Sequence, residues 1–291
     1  MQAIKCENLT KYYGTARGIT NVDLTVDEGD FFGFIGPNGA GKSTTIRILL
    51  GLITQSSGSA KIFDRDVTAH RTELLRDVGY LPSEANFYSG MRVSEILKLS
   101  AKLRGLNCDT EAKILSDRLE LDTSRKIEEL SLGNRKKVGI VCALQHNPKL
   151  YVLDEPTSGL DPLMQREFYN ILKEKNDEGA TVFLSSHVLS EVEKYCKHAA
   201  VIREGKIIVS DSIESLSHTE LKLVTLRGTK ELPKIDGVKN PTVTDDSVSF
   251  LYGGDPVALV RALAEMTFSG LTITDTELED SFMHYYEGGA N

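Results

Sequence analysis

The chain has 291 residues, 40% of them hydrophobic and 26% charged, a globular balance that fits one large domain or two unequal ones. Its formal net charge of −8 argues against a nucleic-acid clamp, and no stretch reaches the ~18 uninterrupted apolar residues of a membrane span. Cys6, Cys108, Cys142 and Cys196 stand apart, with no CxxC pair and no histidine at metal spacing, which argues against a disulfide framework or zinc site and fits a reducing cytosol.

The opening MQAIKCENLTKYYG has no apolar signal core, so the chain is expected inside the cell. AIKCENLT and GITNVDLTV read as short strands, the second ending at the turn Asp27-Glu28-Gly29-Asp30. FFGFIG (31–36) reads as a buried strand, followed by PNGAGKSTT and an apolar-periodic helix over 42–50. SAKIFDRDV and VGYLP are further strands. From 92 to 121 the pattern turns helical (VSEILKLSAKLRG, then TEAKILSDRLEL), which predicts a helical insert between two parts of an α/β core. ELSLGNRKKVG (129–139) reads as a helix start at Asn134, led in by Ser131, Leu132 and Gly133, with Arg135-Lys136-Lys137 as a solvated face.

KLYVLDEP (149–156) reads as a second buried strand. A helix (162–175), the strand TVFLSS, a helix (188–197) and the hairpin AAVIREGKIIVS, turning at Glu204-Gly205, follow. Strands alternating with helices imply a mostly parallel sheet. Beyond Ser217 the character changes. ELKLVTLRG, SVSFLYG and LTITDT read as strands and DPVALVRALAEM as a helix, so 218–291 is expected to be a small α+β appendage after a 1–217 core.

Gly36-Pro37-Asn38-Gly39-Ala40-Gly41-Lys42-Ser43-Thr44 satisfies G-x-x-x-x-G-K-[ST] between a strand and a helix, the context that motif requires. Successive amides can form a phosphate nest, Lys42 can reach β/γ-phosphates and Ser43 can offer a hydroxyl to Mg²⁺. A turn that only caps a helix has no need of Lys-Ser at its end. Asp154 and Glu155 close an apolar run, where acids are costly unless paired or placed on a metal. Asp154 suits Mg²⁺ and Glu155 suits polarising a water; the plainer alternative is a pair of helix-capping acids. His187, after TVFLSS, can orient that water or bond the γ-phosphate; alone it would read as a packed structural histidine. Ser131 and Gly133 precede a helix N-terminus, a ready anion site.

The order GPNGAGKST, LSLGN, LYVLDEP, SGLD and SSH resembles the nucleotide-binding subunits of ATP-binding-cassette (ABC) transporters over roughly 1–215. The resemblance implies a P-loop core with a mostly parallel sheet, an antiparallel β subdomain and a helical subdomain at about 85–145. It implies ATP as substrate with Mg²⁺, Tyr13 stacking on adenine in preference to Tyr12, and Asp161 in a D-loop. It further implies a head-to-tail homodimer or heterodimer in which Ser131 and Gly133 meet the γ-phosphate held by the partner's loop. An integral-membrane permease would be the second partner, with no nucleic acid, placing the chain at the inner face of the membrane. Hydrolysis would use Glu155, His187, Lys42 and, in trans, Ser131.

TELEDSFMHYYEG (276–288) resembles a stretch of drug and antibiotic exporter ATPases, although an amphipathic docking helix would give the same spacing. The alternative is a soluble ABC ATPase without a transport role. Against the family pattern, Leu132-Gly133-Asn134 stands for Gly-Gly-Gln, and Ser83 for the usual Gln that reaches the metal. The 85–121 insert is expected to dock the permease, with Phe87, Tyr88 and Met91 as contacts or, alternatively, as internal packing.

Overall fold

The runs FFGFI, LYVLD and TVFLSS lie side by side, because a strand that is apolar along its whole length must be covered on both faces. In the computed structural model, which describes residues 1–14, 16–217 and 222–275, they are β3 (Phe31–Ile35), β7 (Leu150–Asp154) and β8 (Thr181–Ser186), all buried throughout. The chain forms two compact units, Met1–Asp211 and Ser212–Asn291.

In the first unit the principal sheet runs β10-β9-β3-β8-β7-β6, completed by β6 (Val78–Leu81), β9 (His198–Arg203) and β10 (Lys206–Ser212). β3 is parallel to β8 and β9, and β7 is parallel to β6 and β8. Phe183 ties β8 to β3, its ring 6.0 Å from Phe32 and 5.4 Å from Phe34 between centroids. The β9–β10 hairpin turns at Glu204 and Gly205, both at positive φ (49° and 75°), as a two-residue turn requires. Gly205 donates its N–H to Ala40 O at 2.9 Å, so the hairpin buttresses the glycine-rich loop.

A second, antiparallel sheet runs β2-β1-β4-β5, from β1 (Gln2–Tyr13), β2 (Ala16–Asp27), β4 (Ser57–Ile62) and β5 (Arg65–Asp66). Between the sheets, Ile46, Ile48 and Leu49 of α1 (Lys42–Leu49) join one apolar core with Ile4, Phe34 and Val152. The single turn α2 (Arg71–Leu74) leads into β6.

The insert comprises α3 (Val93–Leu103), α4 (Asp109–Arg118) and α5 (Leu132–Leu144). Arg118 Nε donates to Glu167 Oε1 at 2.6 Å, fastening α4 to α6 (Pro162–Asp177). Two sequence expectations need correction here. Helix α5 begins at Leu132 with Ser131 as its N-cap, not at Asn134. Lys136 and Lys137 are only 4% and 8% exposed, not a solvated face. The reason is that α5 packs against α3, α4 and β6, which encloses this part of its surface, and the Lys136 ammonium turns inward onto main-chain oxygens. After β8, α7 (Leu189–Tyr195) is shorter than the 188–197 expected.

The second unit opens with α8 (Ile213–Ser217), and its sheet runs β12-β13-β11-β14, from β11 (Lys222–Arg227), β12 (Val238–Val243), β13 (Ser247–Tyr252) and β14 (Gly270–Asp275). α9 (Pro256–Ala264) packs Leu259 and Leu263 on Val224, Leu226 and Phe250. Its cap is Asp255, which accepts the Val257 N–H at 3.0 Å, with Pro256 at the first helical position. β12 was not expected from VKNPTV, since the strand is polar and carries Pro241; it is an exposed edge, where proline is tolerated. TELEDSFMHYYEG lies outside the described residues. Among the described residues, no helix is long and apolar enough to cross a membrane.

Candidate active site

β3, β8 and β7 are neighbours, and the glycine-rich loop, His187 and the Asp154-Glu155 pair stand at their carboxyl ends, where open α/β sheets bind ligands. Two glycines explain the loop's path. A Cβ at Gly36 would lie 2.3 Å from Ile202 O, and Gly41, at φ 114°, would drive one to within 2.7 Å of Ile19 Cγ2. Gly41 is the N-cap of α1 with no side chain over the helix end, which leaves the first-turn amides open to an anion.

Lys42 is 6% exposed, and its Nζ donates to Gly36 O at 2.6 Å and to Pro37 O at 3.4 Å. The same ammonium lies 3.1 Å from Glu155 Oε1. That contact is ionic and off hydrogen-bond alignment, so this oxygen has no directed donor among the described residues. Ser43 Oγ donates to Asp154 Oδ2 at 2.8 Å and Ser185 Oγ to Asp154 Oδ1 at 2.6 Å, which satisfies a carboxylate that is 2% exposed.

Glu155 has φ 48°, uncommon for a residue with a side chain and costing about 1–3 kcal/mol. Its peptide is pinned on both sides. Its N–H meets Ser185 O and Oγ at 3.2 Å, and its carbonyl accepts from Lys136 Nζ at 2.9 Å. The turn aims the carboxylate at the half-exposed His187, whose Nδ1 donates to Oε2 at 2.6 Å. Burial pushes the Lys136 ammonium down to about 8, opposed by the fields of Asp154 and Glu155.

A cleft of about 290 Å³ runs along this surface. It is lined by Tyr13, Arg17 and Gly18, by residues 37–39 and 41–44 of the loop and first helical turn, and by Ser83 and Glu155. Ala40 does not line it; it is 3% exposed and braced by Gly205. Tyr13 is 44% exposed, and a Cβ at position 18 would come within 3.0 Å of its ring, so Gly18 makes room for it. Tyr12 is exposed but not among the lining residues.

Gly36, Asp154 and His187 do not line the cleft themselves but bond Lys42, Ser43 and Glu155, which do. Ser131, Gly133 and Asp161 are also absent from the lining, and their contacts run to one another's turns and helices instead. Ser131 Oγ accepts the Asn134 N–H at 3.3 Å and Asp161 Oδ1 accepts the Met164 N–H at 3.0 Å, each capping its own helix. Gly133 abuts the 158–161 turn so closely that a Cβ would lie 2.6 Å from Gly159 O.

Sequence reading missed Ser185, though it stands in the SSH triplet, and Arg17 and Gly18, which no motif marked. It also missed Lys136, whose basic run has the pattern of a surface helix. For Mg²⁺ the fit is good in kind: a hydroxyl and a carboxylate already bonded to each other are hard oxygen donors. Among the described residues no group of three or more His, Cys, Asp or Glu could cage a metal, so the remaining ligands would come from phosphate and water.

Comparison with known proteins agrees with this fold. The family model described as ABC transporter matches residues 19–158. The bacitracin transport ATP-binding protein BcrA of Bacillus licheniformis is 34% identical over 304 aligned residues, covering 98% of each chain. A solved ATP-binding subunit of an ABC transporter superposes with TM-score 0.70 at 29% identity, over 74% of this chain and 91% of that one. The dimeric bacterial ABC transporter cassette MJ0796 gives TM-score 0.64 at 25% identity, over 72% and 98%. With one-third identity to BcrA over nearly its full length, and the phosphate loop, acids and histidine assembled at one sheet end, the chain belongs to the ABC transporter family as an ATP-binding, ATP-hydrolysing subunit.

Proposed function

We propose that the subunit cleaves ATP by in-line attack of water on the γ-phosphate, with the loop at 36–44 holding the phosphates and Tyr13 stacking on adenine. One observation carries this reading. The Glu155 carboxylate lies between Lys42 Nζ at 3.1 Å and His187 Nδ1 at 2.6 Å, and its Oε1 keeps acceptor capacity for a water proton. Glu155 polarises the water, His187 holds the carboxylate and orients the nucleophile, and Lys42 neutralises developing phosphate charge. Ser43 and Asp154 would hold Mg²⁺, which when bound offsets charge on the phosphates. The work is mostly positioning and electrostatics.

Ser131, Gly133 and Asp161 serve the partner subunit's ATP in a head-to-tail dimer. Support comes from their separation from the Lys42–Glu155–His187 contacts, in which none of them takes part, and from the exposure of Ser131 beside Leu132, which is 66% exposed. The energy drives export through a separate membrane permease at the inner face of the membrane, as BcrA's designation in bacitracin transport supports. Every nucleotide motif of the sequence lies before Ser217, and residues 218–291 act as an accessory domain. The test pairs ATPase assay of the purified chain with affinity capture of the tagged chain from solubilised membranes, scored for a co-purifying integral-membrane protein. Absence of both ATP cleavage and membrane association sinks the reading.

The permease docks at a groove of about 500 Å³ on the helical insert, lined by Phe87, Tyr88, Ile96, Leu99 and Leu103 but not by Met91, with Tyr88 72% and Leu103 79% exposed. Phe87 also reaches the α5 backbone, 3.9 Å from where a Gly139 Cβ would stand, which links the groove to the helix that begins at Ser131. Tyr88→Asp is expected to leave basal ATPase unchanged and to abolish substrate-stimulated ATPase and transport in membrane vesicles. Loss of basal activity with transport coupling intact would count against the docking site.

A further inference from the structure

Lys136 is a buried cation with its three N–H bonds spent on main-chain oxygens. Its Nζ donates to Pro82 O at 3.1 Å, Ser83 O at 2.9 Å and Glu155 O at 2.9 Å. An ammonium has three donors and no acceptor, so the set is complete. Those oxygens belong to two separate segments, the turn after β6 and the residue after β7, while the side chain comes from the second turn of α5. Lys136 is absent from the cleft lining and has no N–H left for a phosphate.

The grip falls where the backbone is least comfortable. Glu155 holds φ 48° although it has a side chain, and its N–H is fixed by Ser185. On the other side its carbonyl has Lys136 at 2.9 Å and a weaker contact from the Ser158 N–H at 3.4 Å. A left-handed residue persists only where its surroundings over-determine it. The charge-assisted bond from Lys136 is the strongest constraint on that carbonyl. The same ammonium holds Ser83, whose turn runs on through Ala85 to Phe87; Ala85 lies against α5, its Cβ 3.2 Å from where a Gly139 Cβ would stand. Stability alone is a poor reason to bury a lysine here, because the desolvation of a buried cation offsets most of what its bonds return.

We propose that Lys136 is a positioning residue for hydrolysis: its ammonium, shared by the Ser83 turn and the Glu155 peptide, holds Glu155 in its left-handed conformation and couples it to the turn leading to the Phe87–Tyr88 groove. The proposal rests on the reading of Glu155 as the group that polarises water. Lys136→Met keeps the length and apolar stem and removes all three donors. Lys136→Gln keeps an amide with two donors.

The experiment measures kcat, KM and ATP Kd for both variants, in the wild-type chain and in the Glu155→Gln background. Lys136→Met is expected to lower kcat about tenfold to a hundredfold, the scale of a small misplacement of a reacting group, with Kd unchanged. Lys136→Gln should recover part of that loss, a rescue that separates positioning from mere filling of space. In the Glu155→Gln background Lys136→Met should remove nothing further, because the group it positions is gone. Wild-type kcat in Lys136→Met, a fall in Kd affinity as large as the fall in kcat, or losses that multiply with Glu155→Gln each overturn the proposal. If Lys136→Met does not fold, Lys136→Leu, which also lacks the three donors, answers the same comparison, and wild-type kcat in it is equally fatal. A Glu155→Gln chain that cleaves ATP at the wild-type rate removes the base reading itself. An inactive Glu155→Gln beside an unimpaired Lys136→Met removes the lysine proposal alone.

Discussion

Glu155→Gln is expected to bind ATP with wild-type affinity and to cleave it about 10²–10⁴-fold more slowly, the usual contribution of a positioned general base. The substitution is nearly isosteric, so the left-handed backbone at 155 and its bonds to Ser185 and Lys136 persist. What changes is basicity at the carboxylate that faces Lys42 and His187. Affinity holds because Lys42 keeps its bond to Gly36 O, and Ser43 keeps Asp154. Single-turnover hydrolysis with excess protein, alongside calorimetric ATP titration, separates the two quantities. Cleavage within about tenfold of wild type places the base elsewhere, at a smaller factor than a positioned base contributes.

The positions that were legible in the sequence are those where one local requirement dictates the residue. Gly36 and Gly41 are demanded by close approach and positive φ, so the phosphate loop can be read directly from its spacing. β3, β7 and β8 are buried on both faces and so are written as near-continuous apolar runs. The sequence does not carry what depends on distant packing. Arg135-Lys136-Lys137 has the composition of a wet helix face, and only the enclosure of α5 by α3, α4 and β6 makes Lys136 an interior group. β12 escaped notice because an edge strand needs neither alternation nor freedom from proline. The start of α5 was placed two residues late, since Leu132-Gly133 does not look helical until Ser131 is recognised as its cap.

The two clusters also divide the chemistry. Lys42, Asp154, Glu155 and His187 are joined by contacts of 2.6–3.2 Å that pass through Ser43 and Ser185. Ser131, Gly133 and Asp161 are organised by helix capping and by the fit of Gly133 against Gly159. Lys136 lies five residues, about 1.4 turns, along α5 from Ser131 and bonds the Glu155 carbonyl. The two clusters are thus mechanically continuous within one chain, while the phosphate each serves is proposed to belong to different chains.

Ser131→Arg tests that division. In the Glu155→Gln background ATP stays uncleaved, so on the trans reading it remains sandwiched and converts monomer into stable dimer. Adding Ser131→Arg places a long side chain where only a small hydroxyl precedes the open amides of α5. The cost to the monomer is limited, about 1 kcal/mol for the lost cap, so the chain stays folded. Its own ATP site is untouched, because residue 131 is not among those lining the cleft. The expected result is therefore selective: full monomer affinity for ATP and no ATP-driven dimer. Size-exclusion chromatography with and without ATP, run beside the same calorimetric titration, reads both. A double variant that still dimerises on ATP removes Ser131 from the interface. One that loses monomer ATP affinity puts Ser131 in its own chain's site, and with that outcome the composite arrangement fails.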